Sequence, residues 1–124
     1  MNSEQLIELT RELIEQATHF NVSYVKEAYS DNLLIAKVDQ DGLVDTMNKE
    51  QLMSFVQGNK DANVPPLSSK TAYHYAVCDE RTGMVVITRE LVLDGKLNRK
   101  FFTVFWEYSA GRWQVVKESA LALN

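Results

Sequence analysis

A chain of 124 residues, 45% hydrophobic and 24% charged, has the make-up of one globular domain, here 1–124, with enough length to bury a core. Its net charge of −4 argues against nucleic acid as the main partner, because a phosphate backbone asks for a basic surface. No window reaches the ~18 consecutive apolar residues of a membrane span. Met1–Gln16 carries acids where a secretory leader carries a basic and then an apolar stretch. The single cysteine, Cys78, excludes an internal disulfide and suits a reducing compartment. The expectation is a cytoplasmic protein with neither nucleic-acid nor membrane partners.

Residues 3–19 read as the first helix: Leu6, Leu9, Leu13, Ala17 and Phe20 recur at spacings of three and four, flanked by Ile7 and Ile14. Asn2 or Ser3 caps its start, Glu4 suits the positive end of the helix dipole, and His19 suits the negative end. A shorter helix over 23–30 buries Val22, Val25 and Tyr29, and Asp31-Asn32 breaks it. The pattern then predicts a strand over 33–38, a turn at Asp39-Gln40-Asp41-Gly42 and a second short strand over 43–47. Asn48, with Gln51 three residues later, forms a capping box for a third helix that buries Leu52, Phe55 and Val56 and stops at Gly58. Residues 59–70 are polar, irregular and interrupted by Pro65-Pro66: a lid, a binding loop or a passive connector. From Thr71 the pattern is all strand, over 72–79, then 84–93 after a turn at 80–83, then a turn at Asp94-Gly95 and the hairpin Phe101–Ser119, with 120–124 prolonging it.

That hairpin organises the rest. Ala110-Gly111 is its tight turn, with Gly111 supplying the positive φ a two-residue turn requires. Counting back from the turn puts Tyr108 opposite Trp113, Trp106 opposite Val115 and Val104 opposite Lys117. Side chains alternate between faces. One face therefore carries Phe102, Val104, Trp106, Tyr108, Trp113 and Val115, with Lys117 and Ser119 beyond them. The other carries Phe101, Thr103, Phe105, Glu107, Gln114, Val116 and Glu118. The first face is nearly all apolar and needs a cover of helices; the second is half-apolar and suits a homodimer or an adaptor surface. Helices grouped ahead of meandering strands give an α+β fold. A long, twisted antiparallel sheet curls around its helices into a cone whose hollow side encloses a cavity.

The Tyr29-Ser30-Asp31 step that ends a helix, the strand and Asp41-Gly42 turn after it, and the short third helix form a pattern together with the ending Val104-Phe105-Trp106 and Ala110-Gly111-Arg112-Trp113-Gln114-Val115-Val116. This pattern resembles the nuclear transport factor 2-like (NTF2-like) superfamily, in its SnoaL-like branch, over nearly the whole chain. The resemblance implies a cone-shaped fold, with N-terminal helices packed on a strongly curved antiparallel sheet, and dimerisation. It is silent on chemistry, since the superfamily holds isomerases, cyclases, dehydratases, assembly domains and transport adaptors.

Steroid-isomerase-like members of that superfamily place a carboxylate base at the end of the first strand and a tyrosine donor on the first helix. The matching strand position here is Lys37, with Asp39 two residues on, and the first helix holds no tyrosine. Base and oxyanion donor are both missing, and a shift of one or two residues restores Asp39 but not the donor. Cyclase and dehydratase members lean on a His and Asp pair. With a turn at 80–83, His74 falls opposite Arg89 on an apolar face with Ala76, Cys78, Val85, Ile87 and Leu91. This makes a cradle for a carboxylate or phosphate, with Asp31 as the completing acid. The plainer alternative pairs Arg89 with Glu107 or another surface acid and leaves His74 in water. No His or Cys cluster has metal spacing, and there is no glycine-rich phosphate loop or nucleophile elbow, so no metal or cofactor is expected. Cys78, between Val77 and Asp79 with no activating base, reads as a buried thiol.

Three readings remain. The first is a homodimer that binds a small apolar or weakly anionic molecule in its cavity, against Phe102, Trp106, Tyr108, Trp113 and Tyr29, with Lys117 and Ser119 as the polar groups looking in. The second is a cavity enzyme of the isomerase, cyclase or dehydratase kind, using His74 with Asp31 or Asp39 and drawing on Arg89. The third is a dimeric adaptor acting through the outer sheet face.

Overall fold

The computed structural model describes residues 1–93 and 95–124, and of Leu93 the backbone alone. Helix α1 (Ser3–Thr18) starts at Asn2, whose side chain accepts from the Gln5 backbone N–H at 2.9 Å while Gln5 Oε1 accepts from the Asn2 N–H at 2.8 Å. The reciprocal pair satisfies donors that a helix start leaves open. His19 caps the other end, its Nδ1 lying 2.8 Å from the Glu15 carbonyl oxygen. Helix α2 (Val22–Ala28) ends before the predicted Ser30, because Tyr29 is already extended (φ −105°, ψ 137°) and opens strand β1 (Tyr29–Val38). Lys49 fixes this corner. Its Nζ donates to the carbonyl oxygens of Lys26 (2.7 Å) and Tyr29 (2.8 Å) and to Asp31 Oδ1 (2.9 Å), so a cation closes carbonyl groups that the helix end leaves free.

Strand β2 (Val44–Asn48) runs antiparallel to β1 and leads into α3 (Lys49–Asp61), which opens on the Asn48–Gln51 capping box. The helix continues through Gly58 instead of stopping there. That position faces open space, so glycine weakens the helix by about 1 kcal/mol without ending it. Strands β3 (Thr71–Cys78), β4 (Thr82–Leu93), β5 (Lys96–Ser109) and β6 (Arg112–Ala122) complete the chain. The β5–β6 turn is Ala110-Gly111, with φ of 52° and 80°. The turn expected at Asp94-Gly95 falls on Asp94, outside the described residues.

The strands form one sheet in the order β2-β1-β6-β5-β4-β3, and the fold is α+β. The sheet is antiparallel, as expected, at four of its five seams, and β1 pairs with β6 in parallel. That pairing joins the free edge of the β1–β2 hairpin to the free edge of the β3–β6 meander, so neither is left open. All three helices lie on one side: α1 crosses β3 and β4, while α2 and α3 cover β1, β2 and β6. Phe102, Trp106 and Trp113 share that inner side with Leu6, Val25, Val85, Ile87 and Val115. Trp106 is 2% exposed and donates from Nε1 to Thr10 Oγ1 at 3.1 Å, and Thr10 donates in turn to the Leu6 carbonyl oxygen at 2.9 Å. This buried chain of bonds ties α1 to the middle of the sheet.

Two single-residue bulges change which side chains face inward. In β6, Trp106 pairs with Val115 but Phe105 pairs with Lys117, so Val116 is an extra residue. Val104 consequently lies opposite Glu118, not Lys117. Glu118 and Ala120 turn toward the helices and Lys117 and Ser119 turn out, the reverse of the expectation, since one inserted residue flips everything beyond it. In β3, His74 is extra between Tyr73, paired with Ile87, and Tyr75, paired with Val86. The turn before β4 is also earlier than expected, with Cys78 opposite Gly83, so Arg89 pairs with Thr71 and not with His74.

Replacing Thr10 by Val keeps the shape of the side chain but leaves the buried Trp106 N–H without an acceptor. Urea unfolding is expected to show a loss of roughly 1–3 kcal/mol. A variant as stable as the parent would show that the α1–sheet tie is dispensable.

Candidate functional site

Between the three helices and strands β1, β2, β4, β5 and β6 lies a cavity of about 220 Å³. Most of its wall is apolar, including Ile35, Met47, Leu52, Phe55, Leu67 and Phe102. Tyr29, Lys37, Arg89, Lys100 and Glu118 bring polar atoms into it. Each is placed by strand alternation: Tyr29 and Lys37 on β1, Arg89 on β4, Lys100 on β5, and Glu118 on β6 beyond the bulge. A larger and more open groove, about 840 Å³, runs along the sheet past Asn32, Met84, Phe105, Glu107 and Lys117.

Glu118 sits in the sheet between Ile35 of β1 and Val104 of β5, two neighbours that offer its carboxylate nothing. It is partly buried and lines the cavity. Burial pushes its carboxyl up to about 7, against the opposing pull of a hydrogen bond from Tyr29 and the charges of Arg89 and Lys37. The Tyr29 hydroxyl donates to Glu118 Oε1 at 3.2 Å. Burial first, then the Glu118 charge, holds that hydroxyl well above the usual tyrosine range. Arg89 donates from Nη2 to the Ser68 carbonyl oxygen at 2.5 Å, and its buried Nε has no partner among the described residues. Burial lowers the pKa of Arg89, and burial together with the Lys37 and Arg89 charges lowers that of Lys100. Among the described residues, no carboxylate lies within 4 Å of Arg89, Lys37 or Lys100.

Of the residues singled out from the sequence, Tyr29, Phe102 and Arg89 line this cavity. His74 does not: the β3 bulge puts it on the outer side, 2.7 Å from Thr88 Oγ1 and stacked on Phe101. Asp31 is bound to Lys49, with its side chain 95% exposed, and its pKa is lowered by that hydrogen bond and charge. Asp39 Oδ1 accepts from the backbone N–H groups of Asp41 and Leu43, both at 2.9 Å, and serves the β1–β2 turn. A His–Asp pair is therefore not assembled, and neither Glu107 nor another described acid pairs with Arg89. Trp106 is core, while Tyr108 and Trp113 contact each other at 5.5 Å near the hairpin turn, away from the cavity. Lys117 and Ser119 are exposed on the outer face. Glu118 and Lys100 were missed by the sequence reading. The one available signal was the doubled Val115-Val116, which breaks strict alternation and is where a bulge can hide. Among the described residues no group of three or more His, Cys, Asp or Glu is placed to hold a metal ion, and no helix is long and apolar enough to cross a membrane.

Neither a scan of protein-family models nor a search of curated proteins gives a match. Solved structures do match over nearly the full length. An NTF2-like protein from Cytophaga hutchinsonii is similar at a TM-score of 0.74 and 20% identity, over 99% of this chain and 100% of that one. The fold is NTF2-like. The same similarity extends to the CaMKII hub of S. rosetta (TM-score 0.68, 16% identity, 97% of this chain and 95% of that one). It extends also to a Parabacteroides distasonis protein provisionally named a ketosteroid isomerase (TM-score 0.67, 14% identity, 98% and 88%). Proteins so differently named on one NTF2-like scaffold leave the function to the cavity's own groups.

Glu118 carries a pH prediction. Its folded pKa of about 7 stands above the ordinary 4.5, so the folded state holds a proton that the unfolded chain releases. The stabilisation is full below the unfolded value and is lost as pH rises through 7, amounting to about 3 kcal/mol across the window. Glu118→Gln is expected to flatten the stability profile between pH 5 and 8 and to exceed the parent in stability at pH 8. Denaturation at several pH values checks this, and an unchanged slope in the variant would assign the dependence to another group.

Proposed function

We propose that this protein binds a small, largely apolar molecule, neutral or weakly anionic, in the cavity between helices and sheet, and that it does so as a homodimer joined through the outer sheet face. The observation that carries this reading is the cavity: about 220 Å³ with apolar walls and a few convergent polar groups, the pattern of small-molecule sites. An apolar cavity of ~150 Å³ accepts benzene, so a single ring or a chain of similar bulk fits this one. The dimer is supported by the outer face, where Leu34 (46% exposed), Phe105 (38%), Tyr75, Val77 and Leu121 stand in water. Spread over β1, β3, β5 and β6, they form the kind of apolar surface that a second subunit covers. The ending Val104–Val116 supports the SnoaL-like branch, and the lone, partly buried Cys78 supports a reducing, cytoplasmic setting.

A carboxyl tuned to about 7 beside a tyrosine hydroxyl favours a second reading, a cavity enzyme that moves a proton. In it Glu118 is the general acid–base group and Tyr29 orients it. His74, Asp31 and Asp39 have no part in that chemistry.

Thermal shifts with benzyl alcohol, cyclohexanol, benzoate and hexanoate test the binding reading. At least one is expected to stabilise the parent chain, and Ala120→Leu, which fills the cavity from β6, is expected to abolish the shift without lowering the melting temperature. Shifts that persist undiminished in the filled variant would place binding elsewhere. For the dimer, sedimentation equilibrium should give twice the 14.2 kDa chain mass, and Phe105→Glu should give the single-chain mass. A parent of single-chain mass at micromolar concentration would remove the dimer.

A further inference from the structure

We infer that the guest of this cavity carries a carboxylate, held by the Arg89 guanidinium on the Glu118 side of the chamber, and that Glu118 takes up one proton as the guest binds. This rests on the proposal that the cavity binds a small molecule, and adds the guest's charge and the linked proton.

The charge census is the starting point. Lys37, Arg89 and Lys100 face one small space, and Glu118 is the acid among them. Arg89 and Lys100 are cross-strand partners on β4 and β5, so two cations stand side by side, an arrangement that is unfavourable without an anion between them. Among the described residues the guanidinium reaches one acceptor, the Ser68 carbonyl oxygen, and its Nε is buried without any. An unmet buried donor is destabilising, and more so on a charged group than on a neutral one. An acceptor that draws the guanidinium toward it offsets that loss.

The shape of the space selects the anion. A planar guanidinium matches a carboxylate through two parallel bonds. The remaining wall is apolar, which suits a hydrocarbon body and gives a phosphate dianion few further donors. Glu118 decides the rest. A guest carboxylate seated on Arg89 brings a second like charge beside Glu118, and that repulsion adds to burial in favouring the protonated form of a group already poised near neutrality. The guest keeps its charge, and Glu118 accepts a proton from solvent and becomes a donor. No other bond is made or broken. The groups that face Glu118 are Tyr29 and Lys37 from β1, Arg89 from β4 and Lys100 from β5, with Tyr24 near Tyr29 and Tyr73 near Arg89. The helices contribute Ala17, Thr18, Val25, Leu52, Phe55 and Val56, none of which titrates, and the 62–70 loop contributes Leu67 and the Ser68 carbonyl. Lys37 and Arg89 favour the ionised carboxylate while burial opposes it, which leaves the free carboxyl at about 7, poised to respond to an added anion.

Titration calorimetry with benzoate against benzamide, and hexanoate against hexanamide, tests this at pH 6, 7, 8 and 9 in two buffers of different ionisation enthalpy. Each acid is expected to bind at least tenfold more tightly than its amide at pH 6. Its affinity should fall fivefold to tenfold per pH unit above 7, with close to one proton taken up at pH 8. Glu118→Gln should bind the acids with an affinity that no longer depends on pH over this range. Arg89→Met should erase the preference for acid over amide, and Arg89→Lys, with melting curves for both, guards against a folding failure. Amides that bind as well as the acids would overturn the carboxylate while leaving the cavity reading in place. Acids that bind more tightly without proton uptake would overturn the role of Glu118. If none of the four compounds binds, this inference fails, and the cavity reading fails with it only where benzyl alcohol and cyclohexanol give no thermal shift either.

Discussion

Glu118 faces the cavity because Val116 is an extra residue on β6. Were Val116 paired in regular alternation instead of bulged, the strand would send Lys117 and Ser119 inward and place Glu118 on the outer face, and the chamber would hold a third lysine in place of its acid. The bulge is itself held from both sides. Trp106, opposite Val115, is fixed by its bond to Thr10, and β1 runs parallel to β6 on the other edge from Leu34–Lys117 onward. The register of β1 is also irregular at this level, between Tyr29 and Leu34. Two adjacent strands thus depart from regular pairing side by side, and it is there that Tyr29 comes within hydrogen-bond reach of Glu118.

The electrostatics follow from that placement. A carboxylate with Ile35 and Val104 as sheet neighbours loses its hydration, and hydration is what makes a carboxylate acidic. The Tyr29 hydroxyl and the cations around the chamber return part of the loss, so the group comes to rest near neutrality instead of remaining a buried neutral acid at every physiological pH. The cations are in the opposite position. Arg89 and Lys100 are also partly desolvated, yet they lack a carboxylate within 4 Å among the described residues. The loop before β3 is tied into the same arrangement. Ser68 accepts from Arg89, Leu67 N–H donates to the Thr18 carbonyl oxygen at 3.0 Å, and Glu90 N–H donates to that of Lys70 at 3.2 Å. Held at these points, with Leu67 in the cavity wall, the loop is part of the chamber and not a bystander to it.

Much of this architecture is legible in the sequence because it is written in local chemistry. The Asn48–Gln51 box, the asparagine at the start of α1, the Ala110-Gly111 turn and the apolar inner side of Phe102, Trp106 and Trp113 each follow from residues close together in the chain. The cavity's polar set was only partly legible, for a physical reason. Alternation has a period of two, and one inserted residue inverts every assignment beyond it without changing composition. Val115 and Val116 are alike in kind, so nothing in their chemistry says which one steps out of register, and the same holds for His74 and Tyr75 on β3. Lys49 illustrates a different limit. Its three oxygen partners come from Lys26, Tyr29 and Asp31, a contact across some twenty residues of chain that no local pattern encodes, and it is what removes Asp31 from consideration as a cavity acid.

The position of the acid also separates this chamber from the isomerase arrangement that the sequence resemblance brings to mind. In that arrangement the carboxylate belongs to the first strand and its partner to the first helix. Here the first strand offers Lys37 to the cavity, and α1 offers Ala17 and Thr18. The acid comes from the last strand and its hydroxyl partner from the start of the first, so the polar groups enter from the sheet and the helices supply a hydrocarbon roof. The strands that carry these groups are bonded to neighbours along their length, a more precise support than a loop. The strand ladder sets the spacing of the charges mounted on it. A guest of the proposed kind would then meet side chains and the proton on Glu118 as the parts free to respond, which is why proton linkage, and not a change of shape, is the response we propose.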